Sequence, residues 1–183
     1  MSEKKRVTLG ITGSIAAYKA CDIIRLFMEK GVAVSVVMTR EAEKFITPLT
    51  LSSLTGEEVF RDYFQDDFGG WRMPHIALAK SSDAILIAPA TANIIGKFAQ
   101  GLADDLLTCV LLATRAPVFI APAMNTQMYS HVFVQQNCVK LKNAGVFFIE
   151  PVEGNLACGD TGAGHIADPE DIVAAVLKKI GVI

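Results

Sequence analysis

Three kinds of residue in this chain have the chemistry to move a proton or hold a small acidic ligand. The first is a thiol, Cys158, in the run EGNLACGDTGAGHIAD (153–168), which carries four glycines and no second cysteine. A thiol is mostly protonated at neutral pH and can donate. The second kind is histidine, the commonest general base. His131 lies in a stretch that reads as mid-helix, His165 falls in the glycine run, and His75 sits in Met73-Pro74-His75-Ile76, read as a loop. The third is a pair of asparagines, each just after an Ala-Pro-Ala tripeptide. Asn93 follows 88–90 and Asn125 follows 121–123. Such an asparagine can cap a helix with no further role, or offer an amide donor and acceptor to a ligand.

These residues need a frame, and the chain supplies an alternation of strands and helices. The short apolar runs 7–11, 32–39, 84–90, 118–123 and 146–151 predict strands. Helices are predicted over 14–30, with Ile15, Tyr18, Ile23 and Phe27 on its apolar face, and from Thr47-Pro48 to Gly56. Further helices are expected over 92–100, 103–114 and 126–143, and from Asp168 onward, with Pro169 in first position. Strands separated by helices imply an α/β fold, a Rossmann-like three-layer sandwich in which a parallel sheet has helices on both faces. Ligands of such sheets gather beyond the carboxyl ends of the strands. The polar loops GITGS, MTREA, APATAN, APAMN and the Cys158 run all follow strands.

The first of these loops, from Gly10 to Ala16, has the strand–glycine–helix order of an anion site. It lacks the G-x-G-x-x-G of dinucleotide folds. The second strand ends in Met38-Thr39-Arg40 and not in an acidic residue. A hydroxyl and a guanidinium suit a terminal phosphate better than a ribose diol, which favours a mononucleotide such as FMN over NAD. The other reading is that the glycines allow tight packing and Ser14 caps a helix.

Bulk properties narrow the field. The chain has 183 residues, 51% of them hydrophobic, and a net charge of −2. Its mean hydropathy is +0.38. That suits one domain with strands buried on both faces, or a protomer that also buries surface against copies of itself. The charge argues against nucleic acid and anionic membranes as partners. No apolar run reaches the ~18 residues of a membrane span, so a cytoplasmic protein is expected. Cys21, Cys109 and Cys138 fall in apolar segments and read as buried fillers. No C-x-x-C pair exists, so no metal site is expected.

The motifs G-S-I-A, P-A-T-A-N, A-D-D-L-L-T, P-A-M-N-x-x-M and L-A-C-G-D-x-G-x-G together resemble the phosphopantothenoylcysteine decarboxylases. These belong to the homo-oligomeric flavin-containing cysteine decarboxylases. The likeness runs from about Val7 to Ile180. It implies a flavoprotein with FMN bound near a subunit boundary, assembled as a trimer or as a dodecamer of trimers. Gly13, Ser14, Ile15 and Ala16 would cradle the FMN phosphate, with Thr39 helping and Phe45 near the flavin. Pro89, Thr91, Ala92 and Asn93 would lie along the cofactor, and the segment holding Asp105 and Leu106 would complete the pocket. Asn125 would hold the substrate carboxylate or amide, and Met128 would line the same pocket. His75 matches the family's H-I-x-L position, with Leu78 in place, and becomes the catalytic histidine.

The implied reaction is decarboxylation of 4′-phosphopantothenoylcysteine to 4′-phosphopantetheine in coenzyme A biosynthesis. Direct loss of CO2 would leave an unstabilised carbanion. Transient oxidation to a thioaldehyde lets the thiocarbonyl accept those electrons, and re-reduction then needs a proton. Cys158 on a glycine flap is the expected donor. The 183 residues are expected to form one flavoprotein domain with no fused ligase domain; a separate ligase chain could be a partner. His165 departs from the arginine that bacterial relatives often carry. The alternatives are another flavoenzyme of the group (a peptidyl-cysteine decarboxylase, a pterin reductase or a flavin prenyltransferase) or a non-catalytic regulator on the same fold.

Overall fold

The computed structural model describes residues 4–61, 73–155 and 161–183. Its centre is a six-stranded parallel sheet in the order β3-β2-β1-β4-β5-β6. The strands are β1 (Arg6–Ile11), β2 (Ala33–Met38), β3 (Val59–Phe60), β4 (Ala84–Ala90), β5 (Val118–Pro122) and β6 (Phe147–Phe148). The order reverses between β1 and β4, which makes their carboxyl ends the crevice of the fold. The helices are α1 (Ala20–Glu29), α2 (Pro48–Thr55), α3 (Pro74–Ser81), α4 (Ala92–Gln100), α5 (Leu106–Ala113), α6 (Thr126–Ser130), α7 (Val132–Asn143) and α8 (Pro169–Ile180). A separate antiparallel hairpin joins β7 (Val152–Asn155) to β8 (Thr161–His165).

Alternation along the strands splits the core in two. Val7, Leu9 and Ile11 of β1 face Ile23, Ile24 and Phe27 of α1 and Ile172 and Val176 of α8. Ile85 and Ile87 of β4 face Ile95, Leu107, Val110 and Leu111 of α4 and α5. Burying a side chain the size of Phe27 contributes about 1.5–3 kcal/mol, and Phe27 is fully buried. The two-sided burial is what the continuous apolar strands predict, and the α/β expectation holds. Among the described residues no helix is long and apolar enough to cross a membrane.

Local expectations fail in four places. The helix predicted to start at Ser14 opens with a 3-10 segment, Ile15–Lys19. Its tighter winding turns Ile15 and Tyr18 off the core face, and both stand more than half exposed. The helix predicted over 126–143 is broken at His131, whose backbone is extended (φ −63°, ψ 133°). His131 is therefore a helix boundary and not mid-helix, and its Nδ1 accepts the Phe133 N–H at 3.3 Å. His75 lies in the first turn of α3 and not in a loop. Of the three cysteines expected to be buried, Cys138 is buried and Cys21 and Cys109 are half-buried.

The sheet ends at β6 on one side. Phe147 and Phe148 of this edge strand lie beneath Lys179 Nζ (4.6 Å to the ring centre) and Lys142 Nζ (5.1 Å).

Candidate functional site

The loops at the carboxyl ends of the strands are bonded one to the next. Thr39 N–H, just past β2, donates to Ile11 O at 3.0 Å. Thr12, just past β1 and buried, reaches the β4 loop: its Oγ1 donates to Pro89 O at 2.7 Å and accepts from Thr91 N–H at 3.1 Å. Ala123 N–H, past β5, donates to Ala90 O at 3.0 Å, and Met124 N–H donates to Gly164 O of the hairpin at 3.1 Å. A single seam therefore runs from β2 through β1, β4 and β5 to β8. The Ala88–Pro89 peptide within it is cis.

On the left of the seam is the first-turn cradle. Ser14 is extended and its Oγ accepts from Ala16 N–H at 3.3 Å, capping the 3-10 turn. A Cβ on Gly13 would stand 2.5 Å from Glu41 Cβ, so only glycine lets the β1 turn lie this close to the β2 turn. Gly10 does different work from the turn role suggested by its sequence. It lies inside β1, where a Cβ would meet Leu107 Cδ1 at 2.6 Å and Ile87 Cδ1 at 2.7 Å. Its lack of a side chain brings α5 down onto the sheet. Thr39 Oγ1 is buried and has no hydrogen-bond partner among the described residues. A buried hydroxyl without a partner costs free energy, and a phosphate oxygen would satisfy it. The cradle thus fits an anionic group.

Beside Thr39 a cleft of about 420 Å³ is lined by Arg40, Glu41, Arg61, Lys97 and Asp105. Asp105 caps α5, with Oδ1 accepting from Thr108 N–H at 2.8 Å while Asp105 N–H donates to Thr108 Oγ1 at 3.1 Å. Lys97 Nζ lies 2.9 Å from Asp104 and 3.2 Å from Asp105. The hydrogen bond to Asp104 leads the causes that push the Lys97 ammonium up, against desolvation; the same bond holds the Asp104 carboxyl down. Leu106 is buried in the core. Thr91 caps α4, its Oγ1 accepting from Ile94 N–H at 3.4 Å. Ala92 is half-buried and Asn93 exposed on the first turn of α4. Phe45 is 47% exposed beyond β2.

On the right of the seam are α6 and the hairpin. Asn125 Oδ1 accepts from Gln127 N–H at 2.8 Å and so caps α6. Of the two roles that the sequence left open, the cap is the one observed. Met128 stands half-exposed on α6. The hairpin packs on this segment through its glycines. A Cβ on Gly162 would meet Thr126 Oγ1 at 2.7 Å, and one on Gly164 would collide with Met124 O. Gly164 has φ +145°, which disfavours any other residue. Residues 153–168 therefore contain two paired strands where the sequence read only a glycine loop. Cys158 lies outside the described residues.

The seam brings together the turn Gly13–Ala16, Thr39, Pro89, Thr91 and Asn125. His75 comes from α3, whose core contacts lie on the α4–α5 face, opposite the face that buries Ala16. Sequence reasoning missed Thr12, whose one signal is a hydroxyl residue at the end of a buried apolar strand. It also missed Tyr129 and Glu150: Tyr129 Oη donates to Glu150 Oε2 at 2.6 Å, and Lys142 Nζ donates to Oε1 at 2.6 Å.

A parallel sheet with an anion-fitting cradle at its reversal point defines a class of nucleotide-binding α/β proteins, and comparison with known proteins narrows it. The model of the family described as Flavoprotein matches residues 1–181, and the chain belongs to that family. It is 47% identical over 178 residues to the coenzyme A biosynthesis bifunctional protein CoaBC of Bacillus subtilis, covering 97% of this chain and 44% of that protein. The chain thus spans less than half the length of the curated relatives it matches. Among solved structures it resembles a cysteine-to-serine mutant of a PPC decarboxylase complexed with pantothenoylaminoethenethiol. That match has a TM-score of 0.85 and 35% identity, over 95% of this chain and 97% of the other. It resembles the FMN-dependent cysteine decarboxylase SpaF equally in shape, with a TM-score of 0.85, 32% identity and 97% of each chain covered.

Proposed function

We propose that this protein decarboxylates 4′-phosphopantothenoylcysteine to 4′-phosphopantetheine, with FMN as cofactor. The observation that carries this reading is the seam: the Asn125 loop is bonded to the Pro89–Thr91 loop on one side and to the hairpin whose connection holds Cys158 on the other. The likeness to CoaBC and to a PPC decarboxylase with a pantothenoyl thiol bound supports the choice of substrate.

In this reading the Gly13–Ala16 turn and Thr39 Oγ1 hold the FMN phosphate, and Pro89, Thr91, Ala92 and Asn93 line the cofactor. Phe45 stands near the flavin, and Asp105 and Leu106 fix the wall opposite, the first through its cap and the second through core packing. The chemistry that FMN supplies when bound is a reversible two-electron store, so that CO2 is lost from an oxidised, thiocarbonyl-stabilised substrate with no net redox change. Asn125 Nδ2 binds the substrate carboxylate or amide, and Met128 covers its apolar part. His75 is the acid–base group near the reacting carbon. Cys158 gives the final proton to the carbon that lost CO2.

A homo-oligomer completes the site. His75 and the cradle sit on opposite faces of the sheet. Ile15 and Tyr18, which adjoin the cradle turn, and Phe45 and Leu49 are exposed, as apolar groups covered by a second copy would be. A trimer, alone or gathered into a dodecamer, provides that cover.

The test mixes purified protein with phosphopantothenoylcysteine and follows CO2 and phosphopantetheine by mass spectrometry. The protein is expected to be yellow and to release both. Cys158→Ser should release CO2 without making phosphopantetheine, and His75→Asn should stay yellow and release neither. A colourless protein that refuses added flavin would end this reading. The likeness to SpaF favours one second reading, a peptidyl-cysteine decarboxylase that performs only the oxidative half. In that case a peptide ending in cysteine would lose CO2 and phosphopantothenoylcysteine would not react.

A further inference from the structure

Asn125 stands in a short stretch of chain that is gripped at both ends, by β8 of the hairpin and by the segment leading into β7. On its amino side Met124 N–H donates to Gly164 O, and Gly164 lies against Met124 O. On its carboxyl side Tyr129 Oη donates to Glu150 Oε2 at 2.6 Å, and Glu150 comes two residues before β7. Tyr129 belongs to the same helical turn as Asn125, because its N–H donates to Asn125 O at 2.9 Å. The second grip is braced. Lys142 Nζ takes the other Glu150 oxygen at 2.6 Å, and Gln135 Nε2 donates to Tyr129 O at 2.6 Å, so α7 holds both members.

Electrostatics agrees with this geometry. Burial, then the hydrogen bond to Glu150, pushes the Tyr129 phenol up. Burial works against Glu150, but the bonds from Lys142 and Tyr129 outweigh it and hold its carboxyl down. A phenol facing a carboxylate with both oxygens occupied is a charge-assisted bond, stronger than a neutral one.

We propose that Tyr129 and Glu150 form a clasp that sets the hairpin against the Asn125 turn, and that both are positioning residues for the acidic substrate held there. The inference rests on the reading of Asn125 as the substrate contact. Met124–Gly164 and the close approach of Gly162 to Thr126 hold only β8 against the turn; the clasp adds a point on the chain that leads into β7. Loss of the clasp moves Asn125 Nδ2 relative to the hairpin and weakens substrate binding, while the flavin cradle at the far end of the seam is untouched.

The experiment is a double-mutant cycle of Tyr129→Phe, Glu150→Ala and the pair, made in the full chain with flavin bound. Three quantities are read: KM and kcat with phosphopantothenoylcysteine, flavin absorbance, and amide hydrogen exchange across 152–155 and 161–165. Each single variant is expected to raise KM about tenfold, the fold-change of 1.4 kcal/mol, with kcat within about twofold and absorbance unchanged. The pair should be no worse than either single, and exchange in both strands should quicken. Glu150→Gln keeps an acceptor for the phenol and should recover most of the lost affinity. Unchanged KM with a lowered melting temperature would make the pair merely structural, and additive effects would deny that the two act together; either result overturns the clasp. If the unmodified protein fails to turn the substrate over, the substrate reading fails instead. Exchange then decides the clasp alone: unchanged protection in Tyr129→Phe overturns it.

Discussion

The cradle after β1 and β2 and the Asn125–hairpin region after β5 are made from the same part, a loop at the end of a parallel strand, yet they are held in opposite ways. The cradle is fixed from below. Thr12 is buried and bonded to two backbone groups of the β4 loop, and Gly13 is pressed against Glu41. The second region is fixed from the side, by glycines resting on Met124 O and on the Thr126 side chain and by a carboxylate between a tyrosine and a lysine. The side chain of Glu150 is more than half exposed. On the proposed function the contrast is a division of labour. A group that stays bound needs a rigid seat with core support. A group that comes and goes needs a seat whose contacts lie near water and can be remade.

Four variants sharpen or break that contrast. Gly164→Ala should have the largest effect. Its Cβ runs into Met124 O, and φ +145° suits no other residue. Strain of this kind costs of order 1–3 kcal/mol. Turnover should be lost while flavin absorbance survives; loss of both would show that the two regions are one unit. Thr12→Val comes next. It leaves Pro89 O and Thr91 N–H without their buried partner, about 1–3 kcal/mol. Flavin occupancy, read by absorbance after gel filtration, should fall before the turnover per bound flavin does. Asp105→Ala removes a helix cap, about 1 kcal/mol, and one partner of Lys97. A lower midpoint in urea with an unchanged KM would place it in the supporting frame.

The smallest effect belongs to Asp83→Asn, at the far end of the sheet from both regions. Burial works to raise the Asp83 carboxyl, but the hydrogen bonds from Lys5 Nζ and Arg6 N–H outweigh it and hold the group below the usual carboxylate range. Its contribution is therefore present above the ordinary carboxylate pKa and disappears as pH falls through the lower folded value. The substitution should flatten the acid limb of a melting-temperature profile and change neutral stability by under about 1 kcal/mol. Cofactor and substrate affinities should not move.

The same contrast decides what could be read from sequence. The sheet was legible because its longer strands are mostly apolar runs, and a strand buried on both faces writes itself locally. β3 was not, since Val59-Phe60 is two residues long and owes its place to pairing with Val36 and Val37. Ser14 and Thr91 were legible because a hydroxyl before a helix start is a local signal. The break at His131 was missed because neither glycine nor proline marks it; a ring nitrogen supplies the cap. The hairpin was hidden for a deeper reason. Its strands carry glycines where Thr126 and Met124 press from another part of the chain, so the pattern that makes it a hairpin is written in residues far off in the sequence. Tyr129 and Glu150 are invisible to local reading on the same ground.

The two ammonium groups over Phe147 and Phe148 have a consequence for the crowded life of the molecule. A parallel sheet that ends in aromatic residues invites a foreign strand to extend it, which is how sticky edges seed fibrils. Here any newcomer must first strip water from two positive charges and lift them off their rings. The β6 border of the sheet is thus guarded against uninvited growth.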